Sequence, residues 1–129
     1  FLLKWINDHP NKTWATVAYS RALELTDRFN EAEGLLKKSL KKADDEKEIL
    51  IRLAELNLNR LKLKEALEVA AMTEKKYPND ARNKLLLGQL YQKLGAKQKA
   101  LEKFHEILPR DEQEYKKAAT LIQRLNQEG

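Results

Sequence analysis

The chain has 129 residues, one domain's worth, and no cysteine, which excludes disulfides and thiolate chemistry. Apolar residues make up 42% and charged residues 35%, a mix that suits a helical protein with a real core better than a disordered tail. The 25 basic and 20 acidic residues are interspersed, giving a mixed-sign surface rather than a nucleic-acid footprint, and aliphatic runs such as Leu85–Leu87 are far too short to span a bilayer.

In chain order, residues 1–8 place Leu2, Trp5 and Ile6 on one helical face. The first residue is Phe1, and no charged segment precedes an apolar one, so no secretory leader is expected among these residues. His9-Pro10-Asn11-Lys12 then interrupts the helix and is echoed by Tyr77-Pro78-Asn79-Asp80, 68 residues further on, twice 34. A shift of 34 also superposes Ala32, Ala66 and Ala100, the small residues Ser20, Ala54 and Gly88, and the large residues Tyr19, Leu53 and Leu87. Three frames follow, 13–46, 47–80 and 81–114, each with two amphipathic halves; no sustained alternation predicts a strand.

In the third frame Leu87, Leu90, Tyr91 and Leu94 recur at helical spacing, and Ala100, Leu101, Phe104, Ile107 and Leu108 do so again. Gly95 falls between the halves, where a helix end needs a residue that tolerates positive φ. Gly88 is expected to face the second helix near Ala100 and let the two axes approach closely. Residues 111–127 read as one more helix with an apolar stripe of Tyr115, Ala118, Ile122 and Leu125, a polar-backed cover for the last core. The expected organisation is a single all-α domain: 1–12 as the second helix of a truncated repeat, three repeats, and a capping helix over 115–129.

Motifs for chemistry are sparse. His9 sits in a turn with no partner cluster, and His105 opens "HEILP", where Pro109 occupies the position at which a zinc motif needs its second histidine. The run Asp44-Asp45-Glu46-Lys47-Glu48 reads as a charge cluster at a helix N-terminus. The four glycines are too far apart for a phosphate loop, and Lys37-Lys38, Lys41-Lys42 and Lys75-Lys76 fall near helix C-termini, where cations complement the dipole. The expectation is a non-enzymatic chain with no catalytic residue, cofactor or metal.

Leu87-Gly88-x₂-Tyr91 with Ala100-x₃-Phe104, Leu53-Ala54 with Ala66-x₃-Ala70 and Pro78, and Tyr19-Ser20 with Ala32-x₃-Leu36 together resemble the tetratricopeptide repeat over residues 13–114. The chain departs from the pattern at Lys84, where the repeat has Trp, at Asn57, where it has Tyr, and at Asp44, where it has Pro. The resemblance implies a right-handed α-solenoid, a fragment of a larger repeat protein, whose first helices line a concave groove that receives a partner peptide or helix. The inward phases carry Trp14, Val17, Arg21 and Glu24, then Glu48, Ile51, Glu55 and Leu58, then Arg82, Leu85, Gln89 and Gln92, with Arg52 beside them. From these, Trp14, Val17, Arg21, Ile51, Arg52, Glu55, Leu58, Arg82, Leu85 and Gln89 form the expected partner-binding set. Val17, Ile51 and Leu85 are either an apolar track in the groove or packing between neighbouring first helices. A clamp for acidic chaperone tails is not expected, since aliphatic Val17 and Leu86 stand where that clamp has polar groups. Two alternatives remain, a helical repeat for single-stranded nucleic acid and self-assembly through the Leu2, Trp5 and Ile6 edge. Irregular repeats of this sort are common in bacterial envelope and secretion-assembly factors, and the sequence leaves cytoplasm and periplasm both open.

Overall fold

A computed structural model of the chain describes residues 2–9 and 12–128, with Leu2 and Leu3 described by backbone alone. The expected Pro10 turn and the core phase assigned to Leu2 lie outside the described residues. Among the described residues there are eight α-helices and no strand: α1 (Leu2–Asp8), α2 (Thr13–Leu25), α3 (Phe29–Ser39), α4 (Glu46–Asn59), α5 (Leu63–Lys76), α6 (Ala81–Lys93), α7 (Lys97–His105) and α8 (Glu112–Gln127).

The helices pair as hairpins, α2 with α3, α4 with α5 and α6 with α7, and the hairpins stack. The first helix of each pair also packs on the next first helix, α2 on α4, α4 on α6 and α6 on α8, while each second helix packs on the following first helix. The chain is thus an all-α solenoid. Its apolar interior is a run of three cores, each built by one hairpin and the helix after it. Ala32, Leu36, Ile49 and Leu53 belong to the first, Ala54, Ala66, Ala70 and Leu87 to the second, and Ala100, Phe104, Ala118 and Leu125 to the third. Ala32, Ala66 and Ala100 are fully buried, one in each core.

Three details explain why the helices begin and end where they do. Asp45 and Asp80 cap α4 and α6, accepting the N–H groups of Glu48 (3.3 Å) and Asn83 (2.9 Å). The three hairpin turns each contain a residue at positive φ, Asp27, Leu61 and Gly95, spaced 34 apart. In each, the next N–H reaches back five residues, Arg28 to Leu23, Lys62 to Asn57 and Ala96 to Tyr91, at 2.8–2.9 Å, the bond of a Schellman ending.

Gly88, the α8 stripe and the N-terminal edge each pack in their own way. Gly88 faces the second helix of its hairpin, where a Cβ would run into the ring of Phe104, one turn beyond Ala100. In α8, Ala118 and Leu125 are buried and Ile122 packs at the core edge with Leu121, but Tyr115 is exposed. A rotation of the helix by part of a turn brings Leu121 into the stripe in place of Tyr115. At the other end, Ile6 is buried and Trp5 half-buried, so neither forms a bare apolar edge.

A polar groove on the first-helix face

The first helices α2, α4 and α6, followed by α8, form one face of the solenoid. Along it lies a depression of about 540 Å³ lined by residues including Arg21, Glu55, Leu58, Arg82, Gln89 and Lys117. A second depression continues it past Trp14, Val17, Asp44 and Glu48, sharing Arg21, Glu55 and Arg82 with the first. A third runs from Leu58, Asn59 and Gln89 to Leu121 and Arg124 of α8. Together they make a groove that crosses every first helix.

The expected residues distribute unevenly over it. Trp14 and Arg21 are exposed, and Glu55, Leu58, Arg82 and Gln89 are half-buried in the wall. Val17 and Leu85 touch the groove only with their last exposed edges and belong to the first and third cores. Ile51 is 1% exposed and lines none of these depressions. The aliphatic track is therefore packing between first helices, and Ile51 is removed from the partner-facing set.

Arg52 lines the first depression, but its guanidinium is committed within the protein. It is 3% exposed, its Nε donates to Ser20 Oγ (2.9 Å), and its guanidinium meets Glu24 at 2.5 Å and Glu55 at 3.9 Å. Asn59 Nδ2 donates to the other Glu24 oxygen (2.8 Å). A buried guanidinium needs such partners for its donors, and here they join α2 to α4 in the floor of the first depression, which Arg52 and Glu24 both line. A phase count gives the face of a helix; it does not say that a long side chain folds inward toward a carboxylate of its neighbour.

The rim formed by the starts of the first helices is stitched by charge. Lys47 meets Asp80 at 3.0 Å, Lys76 meets Glu46 at 2.9 Å, and Arg82 meets Glu48 at 2.5 Å. The hydrogen bond to Asp80 holds the Lys47 amine above its usual value. Burial works against the Arg82 charge, but the bond to Glu48 and the nearby Glu55 and Asp80 outweigh it and raise the pKa. Lys76 lowers the Glu46 carboxyl through its hydrogen bond, and Tyr77 adds to this. These pairs are tied up within the protein. Among the described residues, Arg21, Lys117 and Arg124 have no carboxylate within 4 Å.

The groove also takes in Leu25, Asn59, Gln113, Glu114 and Lys117, none of which belongs to the expected set. The three from α8 escape a reading that treats that helix as a solvated cap. That helix begins at Glu112, and Gln113, Glu114 and Lys117 from its first two turns line the groove. The two histidines take structural positions: His9 Nδ1 lies 2.9 Å from the Trp5 carbonyl with its ring stacked on Trp5, and His105 ends α7 exposed.

Stacked hairpins with an open polar groove on one face define a helical-repeat solenoid. Among solved structures, a tetratricopeptide repeat protein from Parabacteroides merdae ATCC 43184 is similar with a TM-score of 0.71 at 22% identity, over 85% of this chain and 44% of that one. This chain thus spans less than half the length of that protein. MamA is similar with a TM-score of 0.68 at 16% identity, covering 98% of this chain and 83% of that one. MamA from Desulfovibrio magneticus RS-1, a form running from 41 to the end, gives 0.66 at 20% identity, covering 98% and 82%. No family model matches the sequence, and no curated protein matches it significantly. The solenoid is of the tetratricopeptide type. No described helix is long and apolar enough to cross a membrane.

Proposed function

We propose that the chain is a non-enzymatic scaffold that holds a segment of another protein in the groove on its first-helix face. The carrying observation is the continuity of the groove: Arg21, Glu55 and Arg82 line two adjoining depressions, so one extended or helical segment can touch α2, α4, α6 and α8 at once. Its wall is rich in polar groups with capacity to spare. Among the described residues Arg21 and Lys117 have no carboxylate within 4 Å, and Gln89 and Gln113 offer amides that both donate and accept. Tryptophan and arginine are enriched where binding energy concentrates, and Trp14 and Arg21 stand exposed here. Glu24, Glu48, Glu55 and Glu114 in the same wall oppose a polyanion, which favours a protein segment over single-stranded nucleic acid.

The test is a peptide-library screen against the full chain, with each hit re-measured on variants. Arg21→Glu combined with Lys117→Glu should weaken capture about tenfold or more, with circular dichroism unchanged. Lys75→Glu, on the second helix of its hairpin, should leave affinity as it was. Hits that ignore the groove pair and respond to Lys75→Glu would place the binding face on the other side. Tighter binding to single-stranded RNA than to any peptide, falling steeply with salt, would replace the protein partner by a nucleic acid.

A further inference from the structure

One end of the groove has a chemistry of its own. Trp14 is 66% exposed, unusual for an indole in the first turn of a helix that is otherwise well packed. It is not loose. Trp5 stands 5.4 Å away, ring to ring, and is itself stacked on His9 at 4.0 Å, so the platform is propped from behind. Beside it the turn before α4 is clamped to the start of α2 in both directions. The Thr13 N–H donates to Asp44 Oδ1 (3.2 Å), and the Asp45 N–H donates to Thr13 Oγ1 (3.0 Å).

The clamp brings two carboxylates into the depression that Trp14 lines. Four carboxylates reach it, from Asp44, Asp45, Glu48 and Glu55, with two arginines, Arg21 and Arg82. Glu48 is neutralised by Arg82, and Glu55 lies 3.9 Å from Arg52. Asp44 and Asp45 have no cation within 4 Å among the described residues, and the Thr13 and Glu48 N–H groups engage Oδ1 of each. Hydrogen bonds from Thr13 hold the Asp44 carboxyl below its usual value, so it stays charged into mildly acid solution. Capping accounts for where these carboxylates sit. It does not account for an exposed indole next to them.

We infer that this end of the groove is a seat for a cationic side chain of the bound segment, an arginine in preference to a lysine, stacked on the face of Trp14 with Asp44 and Asp45 beside its charge. An indole face attracts a cation through its quadrupole, and a guanidinium both stacks on a ring and sheds its water more readily than an ammonium. The inference rests on the groove reading above and adds the chemistry of one partner residue.

The probe is a dye-labelled, end-blocked alanine peptide carrying two arginines, with a counterpart carrying two glutamates, titrated against the full chain at low salt by fluorescence polarisation. The arginine peptide should bind and the glutamate peptide should bind at least threefold more weakly, on the order of one exposed cation–π contact. Trp14→Leu should cost the arginine peptide about threefold. Asp44→Asn keeps an acceptor for the Thr13 N–H and removes the charge; it should cost about twofold, a loss that disappears in high salt. In the unsubstituted chain the peptide should change tryptophan emission, and Trp5→Phe should keep that response because Trp14 carries it. Equal binding of the two peptides overturns the seat. So does arginine-peptide binding that ignores Trp14→Leu and Asp44→Asn together; if that binding instead falls with Glu114→Gln, the cation sits elsewhere in the groove and the scaffold reading stands. If neither peptide binds while library segments are captured through Arg21 and Lys117, the seat fails alone; if nothing binds the face, both fail.

Discussion

A single missing methyl decides how the last hairpin closes. Gly88 lies inside α6, where alanine would favour the helix by about 1 kcal/mol. A Cβ there would come within 2.3, 2.6 and 2.7 Å of three carbons of the Phe104 ring, and that ring is itself fully enclosed. Gly88→Ala should therefore destabilise the protein by about 1–3 kcal/mol in urea unfolding, the overpacking cost overriding the propensity gain. Gly88→Ala with Phe104→Leu should recover part of that loss, because the smaller side chain vacates the space the methyl needs. A glycine variant indistinguishable from the parent would mean the ring moves aside freely and the contact does not set the helix spacing. The sequence shows the small position plainly but not the ring that reaches it. Side chains on a helix lie back over the turn N-terminal to their own Cα, so Phe104, one turn beyond Ala100, reaches the space that a count of phases gives to Ala100. Leu36 and Ala70 hold the same register position opposite Ser20 and Ala54, so the third repeat pairs its smallest residue with its largest partner.

At the level of elements, the hairpin turns carry the clearest untapped stability. Gly95 takes positive φ without strain, and Asp27 is a residue type that tolerates that region. Leu61 holds φ of 60° and is largely exposed, so it has the steric cost and little packing to offset it. Leu61→Gly should raise stability by about 0.5–1 kcal/mol, the relief of a left-handed leucine less the extra freedom glycine gains in the unfolded chain. A thermal melt reads this directly, and a lower melting temperature would mean the turn does not hold the left-handed conformation. Asp27→Gly should change little by comparison. Of the three turns, only the one with glycine is legible by residue type; the other two become visible once Gly95 is carried back by 34 residues. Helices themselves were legible because aliphatics recur at their spacing, as with Leu87, Leu90 and Leu94. The rotation of α8 was not, since Tyr115 and Leu121 fit two stripes about equally well, and only packing against α6 and α7 chooses between them.

For the molecule as a whole, the question is what makes separate repeats unfold as one. In a stacked array each unit touches only its neighbours, so cooperativity resides in the interfaces between units. Between the first and second repeats the apolar contact is reinforced by the buried Arg52, which joins Ser20 and Glu24 of α2, with Asn59 holding the far oxygen of Glu24. Read by phase alone, Arg52 belongs to the groove with Arg21 and Arg82; the structure keeps it in the lining and commits its guanidinium to the joint. The groove was legible as a face and its depth was not, because exposure depends on how neighbouring first helices close over one another. Arg52→Ala strips Glu24 of its cation in a largely enclosed setting and should cost about 3 kcal/mol. The loss should fall on the joint more than on either repeat. Both tryptophans, Trp5 and Trp14, lie at the N-terminal end, so their emission follows the first repeat while far-ultraviolet circular dichroism follows every helix. In the parent chain the two urea transitions should coincide. In Arg52→Ala the tryptophan transition should move to lower urea than the circular dichroism transition, the first repeat melting ahead of the rest. A joint shift of both curves would place the lost energy in the whole array, and unchanged curves would leave the apolar contact alone as the coupling.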